Sequence, residues 1–348
     1  MSASARRYLR VLISLSLGIL LLWLITRGQD VGLIVQHLRQ ANFLWIFLAM
    51  ICALVSHFLR AVRWNMLIGT MGYHTRPFQT FYAVMTGYLA NLAIPRMGEI
   101  TRCVTLGKAS NTPFNALAGT VVAERVFDVI SLFFIVVMTI AFQFVFLKDF
   151  IHRLFWEPLL ARGTGNWGSI VLALAILLLL LTLAAWQLWN KLRAADEDSI
   201  YFRIKRQLRG FVIGFKTIAR LRGKVWFLVY TVCIWGLYYL TVYLCFFAIE
   251  ATSHLSPIVG VTLLAVGSLG ILAPVPGGIG TYHFLTIITL VELYGIESEP
   301  ATSYAYITHA TQIAVNVLAG SASWIILSVH GKRPWFPNQP DQAKHQKL

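Results

Sequence analysis

The 348-residue chain is 57% hydrophobic and 12% charged, with a formal net charge of +15 and a mean hydropathy of +0.68. That balance excludes a water-soluble globular domain and implies an all-α protein that crosses a bilayer repeatedly. The basic residues fall between apolar runs and form no continuous stripe, so anionic membrane lipids are the expected partners and nucleic acid is not.

Arg6, Arg7 and Arg10 precede a first apolar run at 11–26. Trp23, Arg27 and Gln29 stand where a signal peptide would need small residues, so the run reads as a retained anchor with a cytoplasmic N-terminus. A second span, 43–59, ends at Arg60, Arg63 and Trp64, a grouping that reads first as interface anchoring and that also suits headgroup collection.

The next apolar stretch, 78–94, is followed by Pro95, Arg96, Gly98, Glu99 and Arg102, then by a short apolar segment at 115–123. An even number of crossings must separate Arg63 from Glu124, so this region is expected to form a broken or re-entrant pair entering from the cytoplasm. Glu124, Arg125 and Asp128 open the span 126–147. Glu124 and Asp128 are four apart and share a helix face, with Arg125 three residues before Asp128.

A span at 168–189 returns to the most basic loop, where 199–224 has the pattern of an amphipathic helix on the cytoplasmic leaflet. Asp196-Glu197-Asp198 has the form of a DxD metal motif, but no α/β domain is predicted around it and no metal site is expected. The span 225–249 leads outward. The run 257–273 is broken by Pro274, Pro276, Gly277, Gly278 and Gly280 ahead of Tyr282 and His283, which predicts a second broken pair, entering from outside. The final span, 302–329, returns to Lys332 and Arg333 and a cytoplasmic tail at 336–348. Residues 1–335 are thus expected to form one transmembrane domain in a bacterial cytoplasmic membrane, with both termini inside.

The two breaks share a weak likeness, Leu92-Ala93-Ile94-Pro95-x-x-Gly98 against Leu272-Ala273-Pro274-x-x-Gly277. Broken segments of opposite orientation suggest an inverted repeat with a transport site between its halves. Charges inside membrane helices persist when paired, hydrated or useful. Arg96 and Arg102 are candidate phosphate ligands, with Glu99, Glu124, Arg125 and Asp128 orienting them or taking a proton. At the second break, open amides and a helix starting near Thr281 suit an anion, with hydrogen bonds from Tyr282 and His283. The four cysteines, Cys52, Cys103, Cys233 and Cys245, lack CxxC spacing and read as packing residues. No cofactor is expected.

Arg60-x-x-Arg63-Trp64, Gly87-x-x-x-Asn91-x-x-x-Pro95-Arg96-x-Gly98-Glu99-x-x-Arg102, Glu124-Arg125-x-x-Asp128 and Pro274-x-Pro276-Gly277-Gly278-Ile279-Gly280 together resemble the lysylphosphatidylglycerol synthase/flippase transmembrane family. The resemblance implies a helical module that moves or handles polar lipids, with substrate-binding positions among these residues. It does not imply lysine transfer, since no soluble aminoacyltransferase region accompanies the match. The family pattern carries an acid soon after the Gly-Gly-x-Gly turn, where this chain has His283, which implies a different lipid. Three readings follow: a flippase for a polar, phosphate-bearing lipid, served by a membrane enzyme that makes it; a membrane-embedded transferase or accessory protein in lipid-linked glycan or polyprenyl-phosphate metabolism; and a small-solute transporter.

Overall fold

The computed structural model describes residues 16, 19–23, 26–144, 221, 223–273 and 275–330. The span 168–189, the triplet Asp196–Asp198, Pro274, the tail 336–348, most of the run 11–26 and nearly all of the amphipathic segment 199–224 lie outside the described residues. Among the described residues every regular element is helical.

Helix α1 (Val31–Gln40) is too short to be read as a span. Asp30 starts it by accepting from the amides of Gly32 at 2.7 Å and Leu33 at 3.2 Å, which satisfies donors that a helix N-terminus otherwise leaves open. Leu38 packs it onto the core. Helix α2 (Phe43–Gly69) follows, capped by Asn42, whose side chain accepts from Leu44 N at 3.1 Å.

Helices α3 (Pro77–Ala93) and α4 (Met97–Ser110) form the first broken hairpin. Pro95 stops α3 because its ring cannot continue an i→i−4 ladder. Arg96 turns the chain with φ 64°, a left-handed conformation costing a non-glycine residue about 1–2 kcal/mol. The arms then meet backbone to backbone: a Cβ on Gly98 would stand 2.4 Å from Gly87 O, and one on Gly87 would stand 2.8 Å from Gly98 O. Asn91 closes the joint, its Oδ1 accepting from Gly98 N at 2.6 Å. It supplies the cap that Arg96, whose side chain makes no capping bond, does not.

Helix α5 (Phe114–Phe142) corrects the expected topology here. The segment 115–123 is its first third, and the second arm of the broken pair is α4. A run of helix-compatible residues continues through Glu124, Arg125 and Asp128 because the charges find partners on other helices, so they sit inside a long helix and do not begin one. Helix α6 (Lys224–Leu244) ends in a 3₁₀ turn, Cys245–Ala248, and a short α7 (Glu250–Ser253) leads to α8 (Pro257–Leu272). After the break, α9 (Thr281–Ile288) passes into a π turn, Thr289–Leu293, and α10 (Ser298–His330) completes the described chain.

Four of these segments, Phe43–Gly69, Phe114–Phe142, Lys224–Ala248 and Ser298–Val329, are long and apolar enough to cross a membrane. Their outward faces carry Phe47, Phe133, Phe134, Val232, Leu318 and Ile325 exposed, as a lipid-facing surface requires. Inside, one apolar cluster gathers Leu263, Leu290, Phe246 and Tyr304. A second gathers Trp64, Leu106, Leu117 and Phe227. Helix α3 is held between α4 and α10: opposite its contact with Gly98, Leu89 and Met85 lie so close to Gly320 that a Cβ there would meet Met85 O at 2.9 Å. Small residues at such contacts let membrane helices approach closely.

The second hairpin repeats the device. Gly267 and Gly270 of α8 leave room for Tyr282, whose Cα would stand 2.9 Å from a Cβ on Gly270. Thr281 Oγ1 ties the arms by donating to Gly270 O at 2.7 Å. Its turn touches the first: a Cβ on Gly277, which has φ 60°, would stand 3.1 Å from Leu92 Cδ2 in the last turn of α3. The expected pair of broken segments is therefore present, and Leu92 of the first lies against the turn of the second.

Candidate functional site

Arg60 and Arg63 are one helical turn apart on α2, and both face inward. The interface-anchor reading is corrected here. Helix α2 runs on past them to Gly69, and α5 and α6 cover that face, so Arg60, Arg63 and Trp64 are all buried. They pair with the two carboxylates of α5. Arg60 Nη1 lies 2.7 Å from Glu124 Oε1 and 2.8 Å from Asp128 Oδ2. Arg63 Nη2 lies 2.6 Å from Asp128 Oδ1 and 3.5 Å from Glu124 Oε1. From α4, Arg102 Nη1 reaches the other oxygen of Glu124 at 2.8 Å. Helix α6 adds neutral groups: Arg60 Nε donates to Tyr238 Oη at 3.2 Å and Arg63 Nη1 to Thr231 Oγ1 at 3.1 Å.

Four helices thus build one cluster around two carboxylates, which the four-residue spacing on α5 puts on one face as expected. The intrahelical partner anticipated for Asp128 is a minor one. Arg125 Nη1 stands 3.6 Å away, while Arg125 Nη2 reaches Glu99 Oε1 at 3.2 Å. The cluster grades outward. The Arg63 and Glu124 side chains are 0% exposed, whereas Arg125 is 41% and Glu99 32% exposed. Taking such charges out of water costs several kcal/mol per ion, repaid only when opposite charges and hydrogen bonds surround them. A single lone charge in this interior would not persist.

A narrow cleft opens beside the exposed end. Val84, Gly87, Tyr88, Asn91, Gly98, Glu99, Arg102 and Arg125 line it. Arg102 is 3% exposed, yet its Nε and Nη2 have no hydrogen-bond partner among the described residues. Its guanidinium carbon lies 4.7 Å from the centre of the Trp64 ring, and Trp64 is itself fixed by a 2.9 Å bond from its Nε1 to Thr120 Oγ1. Behind Tyr88 a chain of ring contacts runs to His57, 4.6 Å away, and on to Tyr238 and Trp235.

Other expected site residues fall elsewhere. Arg96 is exposed at the hairpin tip and makes no ion pair among the described residues. Pro95 and Asn91 shape the hairpin. At the second break two of the three glycine amides expected to stay open are engaged: Gly278 N donates to Val275 O at 3.1 Å and Gly280 N to His283 Nδ1 at 3.3 Å. Tyr282 and His283 are buried against His309 of α10, with ring centres 4.9 and 4.7 Å away. His309 Nε2 donates to Gly277 O at 2.8 Å. This half of the site is a latch on the turn, separate from the arginine cluster.

Thr231, Tyr238 and His309 escaped the sequence reading because uncharged polar residues in apolar runs carry little signal one at a time. Thr231 and Tyr238 are seven apart, two helical turns along one face, and that spacing was the available clue.

A helical membrane protein with two broken hairpins and a buried ion cluster against the first of them is the class this fold and site define. The model of the lysylphosphatidylglycerol synthase transmembrane region matches residues 10–320, and the chain belongs to that family. It is 22% identical over 326 residues to a UPF0104 membrane protein of Pyrococcus horikoshii, covering 90% of this chain and 95% of that one. A UPF0104 membrane protein of Methanothermobacter thermautotrophicus is 23% identical, covering 91% and 93% respectively. Glycosyltransferase AglD of Haloferax volcanii is 25% identical over 93% of this chain but only 55% of its own length. No solved structure matches.

Proposed function

We propose that the protein translocates a polar lipid across the membrane, with the headgroup passing the cleft between the first hairpin and α5. The observation that carries this reading is the outward grading of the ion cluster. Glu124 and Asp128 are each held by three arginines, while Glu99, Arg102 and Arg125 line the cleft. Arg63 Nε, deep in the cluster, is unbonded as well, so the weight falls on Arg102, a buried arginine with two unbonded donors that also lines the cleft. The two hairpins, taken as halves of an inverted repeat, supply rigid arms that can rock about their meeting point at Leu92 and Gly277. We set the protein in the cytoplasmic membrane with both termini inside. The relatives named above are archaeal, and the reading does not depend on a bacterial host.

The test is reconstitution into liposomes carrying headgroup-labelled lipids, with chemical quenching of the outer leaflet. Protein-dependent loss of the protected signal, slowed several-fold in Arg125→Gln, supports translocation. No protein-dependent movement of any lipid overturns it. The likeness to a glycosyltransferase favours a second reading, that the chain acts with lipid-linked glycans as a transferase or accessory. Protein-dependent formation of a glycosylated lipid from a purified donor and acceptor would support that alternative.

A further inference from the structure

The translocation reading leaves the chemistry of the headgroup open, and three observations on the same site narrow it. The first is charge. Arg60, Arg63, Arg102 and Arg125 face Glu99, Glu124 and Asp128, which leaves one uncompensated positive charge in a largely buried cluster. A dianionic phosphate monoester that takes the place of one carboxylate brings that cluster to neutrality. An added cation would raise the charge in a place where desolvation already penalises it.

The second is the unmet demand of Arg102. Its Nε and Nη2 are buried without a partner, and the residue lines the cleft. A guanidinium edge with two free N–H groups matches two oxygens of a phosphate or carboxylate.

The third is that an anion already occupies the mouth. Glu124 and Asp128 are locked by three arginines each, whereas Glu99 has one ionic partner among the described residues, Arg125 at 3.2 Å. Its Oε2 has no hydrogen bond among the described residues. It belongs to the first turn of α4, where the helix dipole favours negative charge. The cleft as it stands has room for about one water, so a headgroup can enter only where a side chain leaves. Glu99 is the least constrained acid and the one whose charge an incoming anion would replace.

We infer that the cleft accepts an anionic, phosphate-ester headgroup in the place held by the Glu99 carboxylate, with Arg102 and Arg125 as its ligands, and that it rejects aminoacylated, cationic headgroups. This rests on the translocation reading for its biological setting and on the ion cluster for its chemistry. Glu99 acts as an internal stand-in: it keeps Arg125 paired when no lipid is bound and swings toward solvent when one arrives.

Binding to the full chain in detergent, followed by titration calorimetry, tests the inference apart from transport. The probes are short-chain phosphatidic acid, short-chain phosphatidylcholine, a short-chain lysine ester of phosphatidylglycerol, and inorganic phosphate. Phosphatidic acid should bind most tightly and the lysine ester least. Glu99→Gln should tighten phosphatidic acid binding on the order of three- to five-fold, the range expected from freeing a half-exposed ion-pair partner. Arg125→Gln should weaken it. Glu250→Gln, which removes an exposed charge in α7, should leave it unchanged, so that a shift in overall charge is not mistaken for displacement. Equal binding of the lysine ester, or unchanged binding in Glu99→Gln, overturns the proposal. Inorganic phosphate competing as strongly as the short-chain lipid overturns its lipid part. Binding as described with no translocation in liposomes would sink the transport reading and leave this one standing.

Discussion

Glu124→Gln is the sharpest perturbation of the site, because the substitution changes charge and almost nothing in volume. In the native cluster Glu124 faces Arg60 at 2.7 Å, Arg102 at 2.8 Å and Arg63 at 3.5 Å, all of them buried. Gln keeps one acceptor oxygen but turns an amide donor toward guanidinium N–H groups, and the four arginines are left with two acids. Breaking a buried ion pair by removing one partner costs about 3–5 kcal/mol. At roughly 2 °C per kcal/mol for a chain of this size, the midpoint of thermal unfolding should fall by about 6–10 °C. The assay is the loss of the monodisperse peak on size exclusion after heating in detergent, with Glu99→Gln run in parallel. The Glu99–Arg125 pair is 32% and 41% exposed, so its loss should cost below about 1 kcal/mol and shift the midpoint by less than about 2 °C. Equal shifts in the two variants would refute the graded cluster, and with it the argument that Glu99 alone is free to exchange.

The hairpins give further outcomes. Gly98→Ala should destabilise the fold by about 1–3 kcal/mol or more, since the new methyl would stand 2.4 Å from Gly87 O and 2.5 Å from Asn91 Nδ2. Gly119→Ala in α5, with nothing within 4 Å, should be neutral or stabilising by up to about 1 kcal/mol, and the same heating assay separates them. Asn91→Ala should cost about 0.5–2 kcal/mol through the lost bond to Gly98 N and should slow translocation, because α4 carries both Glu99 and Arg102. At the second hairpin, His309→Phe leaves Gly277 O without its 2.8 Å donor, costing about 1–3 kcal/mol. His309→Gln, which can donate to the same carbonyl, should recover part of the loss in thermal stability.

Much of the architecture was legible in the apolar runs. The spans expected at 43–59, 225–249 and 302–329 correspond to α2, α6 with its 3₁₀ turn and α10, because a run of about 20 apolar residues has few stable fates but a membrane helix, and the shorter run 257–273 is α8, an arm of the second broken pair. The breaks were legible for a similar local reason, since Pro95 and the Gly-Pro run at 274–280 interrupt any helix. The partner of the first broken arm was misplaced. Residues 97–110 are too polar to be recognised as a membrane element, and they are helical because α3 and α5 surround them.

Residue chemistry divides along the same line. The sequence by itself determined that charges cluster around the first break and that Glu124 and Asp128 share a face, because both follow from spacing along one chain. That Arg60 and Arg63 leave the interface and complete the cluster was decided by tertiary packing, which brings α2 against α5 and α6 across intervals of 61–178 residues. No local pattern encodes a contact made between helices so distant in the chain. The same holds for His309 reaching Gly277, and for the meeting of Leu92 with the second turn that places the two breaks side by side.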